Sequence, residues 1–235
     1  VGGLQEAAMS SSLDRLREEF DRWAHEGRGE KMEKGHQAVT EIILDRMDLK
    51  PDSHVLDLGC GIGWATRLLA ARLPHGMAVG LDVSEEMIRR AREHGANPPN
   101  VNFRVLRSDR FPFQDGVFTH CLSVESLYYH PDITTSLREV HRVLVPGSAA
   151  YVMMNFFKEN PYTQRWAGLI KVPVHWLGGE EYCALAREAG FARARWETVP
   201  DPTPVPDHYD PVHYESREAM QESLAIGALL VTAER

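Results

Sequence analysis

A chain of 235 residues that is 43% hydrophobic and 26% charged can bury one large core, so a single α/β unit with additions is the expected organisation. The formal charge of −8 argues against the basic face that nucleic-acid binding requires, and no apolar run nears the roughly 20 residues that cross a bilayer. Cys60, Cys121 and Cys183 form no C-x-x-C pair and the histidines no H-E-x-x-H, so neither a disulfide framework nor a metal is expected.

Residues 1–6 have neither a basic nor an apolar leader pattern, and a cytoplasmic protein is the expectation. Residues 1–12 are small and polar and read as a frayed start. From Leu13, the apolar positions Leu16, Phe20, Trp23 and Ala24 predict an amphipathic helix, broken at Gly27-Arg28-Gly29. A second helix carrying Met32, His36, Val39, Ile42, Ile43 and Met47 ends before Pro51.

The stretch that follows organises the chain. Val55, Leu56 and Leu58 read as a buried strand, and residues 66–73 carry apolar positions at helical spacing. Between them Gly59, Gly61 and Gly63 let the backbone turn sharply and approach a ligand. A dinucleotide turn requires G-x-G-x-x-G. Counting from Gly59 puts Trp64 at the third position, and counting from Gly61 puts Thr66 there, so a pyrophosphate fits poorly. Asp57, just before the turn, would repel a phosphate and suits a cationic group, which favours a ligand with an amino group and no phosphate.

A second strand over 76–82 ends in Asp82, where a carboxylate can accept from a ribose diol. Ser84, with Glu85 and Glu86, reads as the N-cap and first-turn acids of a helix reaching Glu93. A third strand over 101–106 leads into a loop containing Ser108, Asp109 and Arg110. The turn Asp115-Gly116 opens a central strand through Val124, which ends in the polar and aromatic cluster Glu125-Ser126-Leu127-Tyr128-Tyr129-His130. Loops at the carboxyl ends of parallel strands form the ligand crevice, so acceptor contacts are expected there, whereas His120 reads as an internal histidine.

Then come a helix over 134–144, a turn at Pro146-Gly147 and a strand over 149–154. Residues 155–178, with Phe156, Phe157, Tyr162, Trp166 and Trp176, are too irregular for one element and too aromatic for a solvent loop. They read either as a lid over the acceptor or as packing against the N-terminal helices. A helix over 180–189 stops at Gly190, and a strand over 191–199 follows. A stiff connector over 200–206, with His208, Tyr209, His213 and Tyr214 beside the pocket, leads to a last strand over 227–233.

The run Val55-Leu56-Asp57-Leu58-Gly59-Cys60-Gly61-Ile62-Gly63 resembles motif I of the class I S-adenosylmethionine-dependent methyltransferases, in which D-x-G-x-G-x-G holds the amino-acid end of the cofactor. The run L-R-E-V-H-R-V-L-V-P-G-S at 137–148 is similar to the same family's helix, turn and strand, and its small-molecule, type 11-like members are the best match. The resemblance implies a Rossmann-like α/β fold, with a seven-stranded, mostly parallel sheet, helices on both faces and the last strand antiparallel. It implies a helical cap over 1–50 and a catalytic domain over 51–235 with a lid at about 155–178.

It also implies S-adenosyl-L-methionine as cofactor, with Asp57, Gly59, Cys60 and Gly61 at its amino-acid end, Asp82 on the ribose and Val124 among the cofactor-binding residues. Val83 and Met87 would flank the adenine, with core packing the alternative for Met87, and Ser108, Asp109 and Arg110 would meet its amino edge. The expected reaction is in-line displacement onto a small-molecule acceptor, by a monomer or homodimer. Val124-Glu125-Ser126-Leu127 stands where nucleic-acid amine methylation would require N-P-P-Y; a thiol, metalloid or quinone-like acceptor stays open. His36 is the preferred acid/base group, His130 the alternative, and Tyr128 the partner that orients the acceptor. The competing readings are a non-catalytic binding module and a nicotinamide oxidoreductase, the latter disfavoured by the glycine spacing.

Overall fold

The computed structural model describes residues 2–94, 97–205, 207 and 209–235, with side chains from residue 12 onward. Its seven strands are β1 (His54–Leu58), β2 (Met77–Asp82), β3 (Val101–Val105), β4 (Phe118–Val124), β5 (Leu144–Met154), β6 (Arg193–Val199) and β7 (Ala228–Glu234). They form one sheet in the order β3-β2-β1-β4-β5-β7-β6. The first five pair in parallel, and β7 runs antiparallel between β5 and β6, as the expected fold class requires. Strands β1 and β7 are buried along nearly their whole length, which is why they read as continuous apolar runs rather than alternating ones. The order reverses between β1 and β4, and open α/β sheets leave their crevice at such a point.

The helices are α1 (Gly2–His25), α2 (Arg28–Arg46), α3 (Trp64–Ala71), α4 (Glu85–Glu93), α5 (Ile133–Val143), α6 (Gly179–Glu188) and α7 (Arg217–Ile226). Ser84 caps α4 by accepting from the Met87 N–H at 2.9 Å, a contact of a kind that contributes about 0.5–2 kcal/mol. Asp132 caps α5 in the same way.

Four departures from the sequence reading have physical causes. Helix α1 starts at Gly2 rather than Leu13, because Leu4, Gln5, Glu6, Ala7, Ala8 and Met9 are all good helix formers. Strand β5 starts at Leu144; Gly147, at φ 80°, kinks it at Pro146-Gly147 while pairing with Arg235 keeps it in the sheet. Helix α7 is too polar to announce itself by periodicity. Residues 155–178 take regular structure in part: Phe156 and Phe157 continue β5 into the core, and the 3-10 turn Pro161–Leu169 packs by α7. There the Asn160 amide donates to the Ser223 carbonyl at 3.2 Å and Trp166 Nε1 to the His213 carbonyl at 2.9 Å.

His213 and Tyr214 therefore sit against Trp166, and Tyr214 borders a groove with Tyr162 and Arg165 that shares no residue with the glycine turn, while Pro206 and His208 lie outside the described residues. The N-terminal helices are joined to the body, since Leu16, Trp23, Ala24, Val39, Ile43, Leu44 and Met47 belong to the same buried cluster as the sheet. Each buried Leu, Val, Ile or Met among them contributes about 1.5–3 kcal/mol, so α1 and α2 are part of the folded unit.

Candidate active site

The turn after β1 is set by three left-handed glycines, Gly59 (φ 76°), Gly61 (φ 51°) and Gly63 (φ 80°). A Cβ at Gly59 would stand 1.9 Å from Ser126 Oγ, and one at Gly63 2.4 Å from the Phe103 ring, so these two pack the turn. A Cβ at Gly61 would meet nothing within 4 Å, because that residue faces the cavity. The Gly59 and Cys60 N–H groups donate to the Leu81 carbonyl at 2.7 and 3.1 Å. Asp82 completes the tie between β1 and β2: Oδ2 accepts from the Gly61 N–H at 2.8 Å and Oδ1 from the Ser84 N–H at 2.9 Å. Burial pushes the Asp82 carboxyl up to about 6, opposed by those N–H groups.

Asp57, expected at the ligand, lies behind the turn instead. It is 1% exposed, accepts from Thr66 Oγ1 at 2.6 Å and borders neither of the cavities beside the turn. Burial pushes its carboxyl up to about 7.

Helices α1 and α2 form the opposite wall. Gly29 allows α2 to seat on the turn, since a Cβ there would come within 2.5 Å of Ile62 Cγ2. Asp21 holds α1 to the start of α4, accepting from Ser84 Oγ and from the Glu86 N–H, and Arg17 Nε donates to the Val83 carbonyl at 3.3 Å. Phe20, Trp23 and Tyr129 form an aromatic wall, with ring centroids 5.0–5.6 Å apart. His36, Cys60, Met87, Val124 and Glu125 border the same cavity. Val83, Leu106 and His130 border a smaller one that shares Gly59, Asp82, Ser126 and Phe20 with it. The free volume of the larger is about 80 Å³, well below the roughly 300–1,000 Å³ of ligand pockets, so the helical wall is drawn down onto the turn.

At the end of β4, Glu125 takes φ 52°, a left-handed conformation that costs a side-chain-bearing residue about 1–2 kcal/mol. It is held there by three contacts. Its N–H donates to the Met153 carbonyl, its Oε2 accepts from Tyr128 Oη at 2.8 Å, and its Oε1 accepts from the Asn155 N–H. The Asn155 side-chain amide pairs with His36 Nδ1 at 3.1 Å, linking the loop to α2.

Tyr128 is only 3% exposed and supports Glu125 from behind; Tyr129 is the tyrosine that faces the cavity. Burial beside Glu125 drives the Tyr128 phenol well above its usual range. His130 is a loop support as well, with Nδ1 2.7 Å from Ser136 Oγ and its carbonyl accepting from His175 Nε2 at 3.1 Å. Burial, and then His175, push its imidazole down to about 4, which leaves it neutral and weakly basic. Ser108, Asp109 and Arg110 border neither cavity; Ser108 Oγ donates to the Arg110 carbonyl, and Leu106 supplies the wall at the end of β3. The Cys60 thiol is raised well above its usual range by burial and by Asp82, and is inert.

Sequence reading missed Asn155, Arg28 and the cavity-facing Trp23. Only Glu125 carried a signal, as an acid ending an apolar strand. A larger groove of about 500 Å³, lined by Asp48, Lys50, His120, Tyr151 and Arg235, opens at the amino ends of the strands, away from the glycine turn. Among the described residues no three His, Cys, Asp or Glu side chains are grouped to hold a metal ion, and no helix is long and apolar enough to cross a membrane.

A sheet that reverses beside β1, a glycine turn open to a cavity at Gly61 and an acid closing β2 define a Rossmann-like nucleoside-binding enzyme. Residues 55–147 match the family model described as Methyltransferase domain. The chain is 29% identical over 187 residues to O-methyltransferase resE of Aspergillus sclerotiorum, covering 76% of this chain and 70% of that one. It is 29% identical over 206 residues to O-methyltransferase cnsE of Penicillium expansum, covering 81% and 71%. It superposes on the methyltransferase held in complex with the Trm112 methyltransferase activator of Haloferax volcanii with a TM-score of 0.85 at 33% identity, covering 92% of this chain and 97% of that one. The chain belongs to the class I S-adenosylmethionine-dependent methyltransferases, and S-adenosylmethionine is its cofactor. The residues present fit that group, because the open face of Gly61 leaves room for a ligand against the backbone and Asp82 stands beside it.

Proposed function

We propose that this methyltransferase acts on a small-molecule acceptor held between the N-terminal helices and the loop at 125–130. The observation that carries this reading is the aromatic wall: Phe20, Trp23 and Tyr129 pack against one another and border the cavity beside the glycine turn, a surface suited to a small apolar or aromatic acceptor. The relatives named as O-methyltransferases support it.

S-adenosylmethionine, when bound, supplies a methyl group already activated on a sulfonium. The protein's work is therefore alignment and exclusion of water, worth roughly 7–11 kcal/mol in well-oriented systems. In this reading Asp82 accepts from the ribose hydroxyls, Gly61 gives the backbone close approach, and Val83 and Leu106 flank the base. Helices α1 and α2 act as the cap. His36 takes the acceptor's proton at Nε2 where one must leave, in the tautomer whose Nδ1–H donates to the Asn155 side-chain oxygen, the amide being turned about from the orientation in which its NH2 faces the ring, and Glu125 holds that end of the cavity in place. The likeness to the Trm112-bound methyltransferase supports a small activator subunit of that kind as a partner.

The test is product formation. Protein purified alone and with a co-expressed Trm112-type subunit is incubated with methyl-labelled S-adenosylmethionine and separate pools of phenols, quinols, thiols, RNA and protein. Label in a small-molecule pool, matched by S-adenosylhomocysteine, is the expected result. Label confined to RNA or protein would overturn the small-molecule assignment.

A further inference from the structure

The methionyl end of the cofactor carries a carboxylate as well as an ammonium, and a carboxylate taken out of water needs a charged partner to offset its lost hydration. The cavity's acidic wall works against it, since Asp82 and Glu125 would both repel that group. Among the described residues bordering the cavity, Arg28 is the one lysine or arginine. It is the first residue of α2, directly after Gly27 in its left-handed turn. Its neighbour Gly29 packs on Ile62 of the glycine turn, and Arg28 and Gly61 border the same cavity.

Two contacts orient it. The guanidinium lies 4.5 Å from the centroid of the Trp23 ring, and Nε is 3.2 Å from Oε2 of the exposed Glu26. Stacking on a ring fixes the guanidinium plane while leaving its edge donors able to take a carboxylate bidentately. Its charge already acts inside the cavity, where it favours the ionised form of the Tyr129 phenol against burial.

We propose that Arg28 binds the cofactor's carboxylate from the cap side, so that cofactor binding itself seats α2 on the glycine turn. Trp23 is then a positioning residue for Arg28. The assignment holds whatever the acceptor is.

The experiment is calorimetric in its main arm, with an acceptor KM measured only if both affinities stay unchanged. Wild type, Arg28→Met and Arg28→Lys are titrated with S-adenosylmethionine and with its decarboxylated form, which keeps the sulfonium, the amine and the nucleoside. Melting temperatures verify that each variant is folded. Arg28→Met is expected to weaken S-adenosylmethionine by roughly tenfold or more, the scale of one lost charge-assisted hydrogen bond, and the decarboxylated ligand by less than about twofold. Arg28→Lys should recover part of the difference. Equal losses on both ligands would make Arg28 a packing residue on Trp23. Unchanged affinity for both, with a raised KM for an acceptor, would place it on the acceptor. Either outcome overturns the proposal.

Discussion

The sheet wall of the cavity is fixed through backbone N–H groups, those of Gly59 and Cys60 on the Leu81 carbonyl and that of Gly61 on Asp82 Oδ2, whereas the cap wall hangs on side chains. Asp21 on Ser84, Arg17 on Val83 and the Phe20–Trp23–Tyr129 rings hold α1 and α2 in place. Backbone geometry is demanded by φ and tolerates few residues; side-chain contacts can be exchanged one at a time. The rigid wall therefore suits a cofactor shared by a whole family, and the exchangeable wall suits an acceptor that differs between members. This division can be broken at either wall.

The largest effect is expected on the rigid side. Gly61→Val places a branched side chain in the open face of the turn at φ 51°, with backbone strain of about 1–2 kcal/mol and the ligand's space filled. Cofactor binding should fall below detection by calorimetry while the melting transition stays cooperative. Full affinity in the variant would show that the turn does not approach the cofactor.

How much of this was legible in the sequence follows the same division. The glycine turn, Asp82 and the succession of strands along the chain could be read, because glycine spacing, strand-end acids and apolar runs are local signals. The cap wall could not be read in detail. His36 and Asn155 meet across 119 positions of sequence, and neither has a local reason to find the other. Tyr128 is named in the sequence reading and Tyr129 is the one that borders the cavity, since nothing local says which of two adjacent residues in a 3-10 turn faces inward; packing against Phe156 turns Tyr128 away. The aromatic residues after β5 suggested a lid since composition reports what a segment contains and not which way it turns, and Phe156 and Phe157 turn inward. Ser108, Asp109 and Arg110 matched a motif, yet the loop carries them past the cavity and leaves Leu106 in the wall.

On the exchangeable side, His36→Gln tests whether the cap contributes chemistry or only shape. If His36 is the base, turnover under cofactor saturation should fall by roughly tenfold or more, at the low end of general-base contributions, and the limb that rises with pH should flatten. His130→Gln should leave that limb in place, because burial already holds its imidazole down to about 4 and Ser136 occupies Nδ1. An intact limb in His36→Gln, with turnover within about threefold of wild type, would leave the cap a purely steric wall.

The smallest effect concerns stability on the rigid side. Asp57 is buried behind the turn with its carboxyl pushed up to about 7 from an unfolded value of 3.8. Below about pH 4 both states hold the proton and the site carries no penalty. Between about pH 4 and 7 the unfolded chain gives up the proton while the folded chain keeps it, so the folded state binds more protons and stability falls as pH rises. Above about pH 7 both are ionised and the loss is complete. Asp57→Asn keeps an oxygen for Thr66 Oγ1 and removes the titration. The ligand-free variant should therefore melt above wild type at pH 8, at about 2–4 °C per kcal/mol of penalty removed, and the two curves should converge toward pH 4.5. Asp82, also raised, adds its charge to the upward push on Asp57, so the difference between the curves reports the pair. A variant less stable than wild type at pH 8 would mean that the ionised Asp57–Thr66 pair stabilises the turn. The rigid wall would then owe its geometry to a buried charge as well as to its glycines.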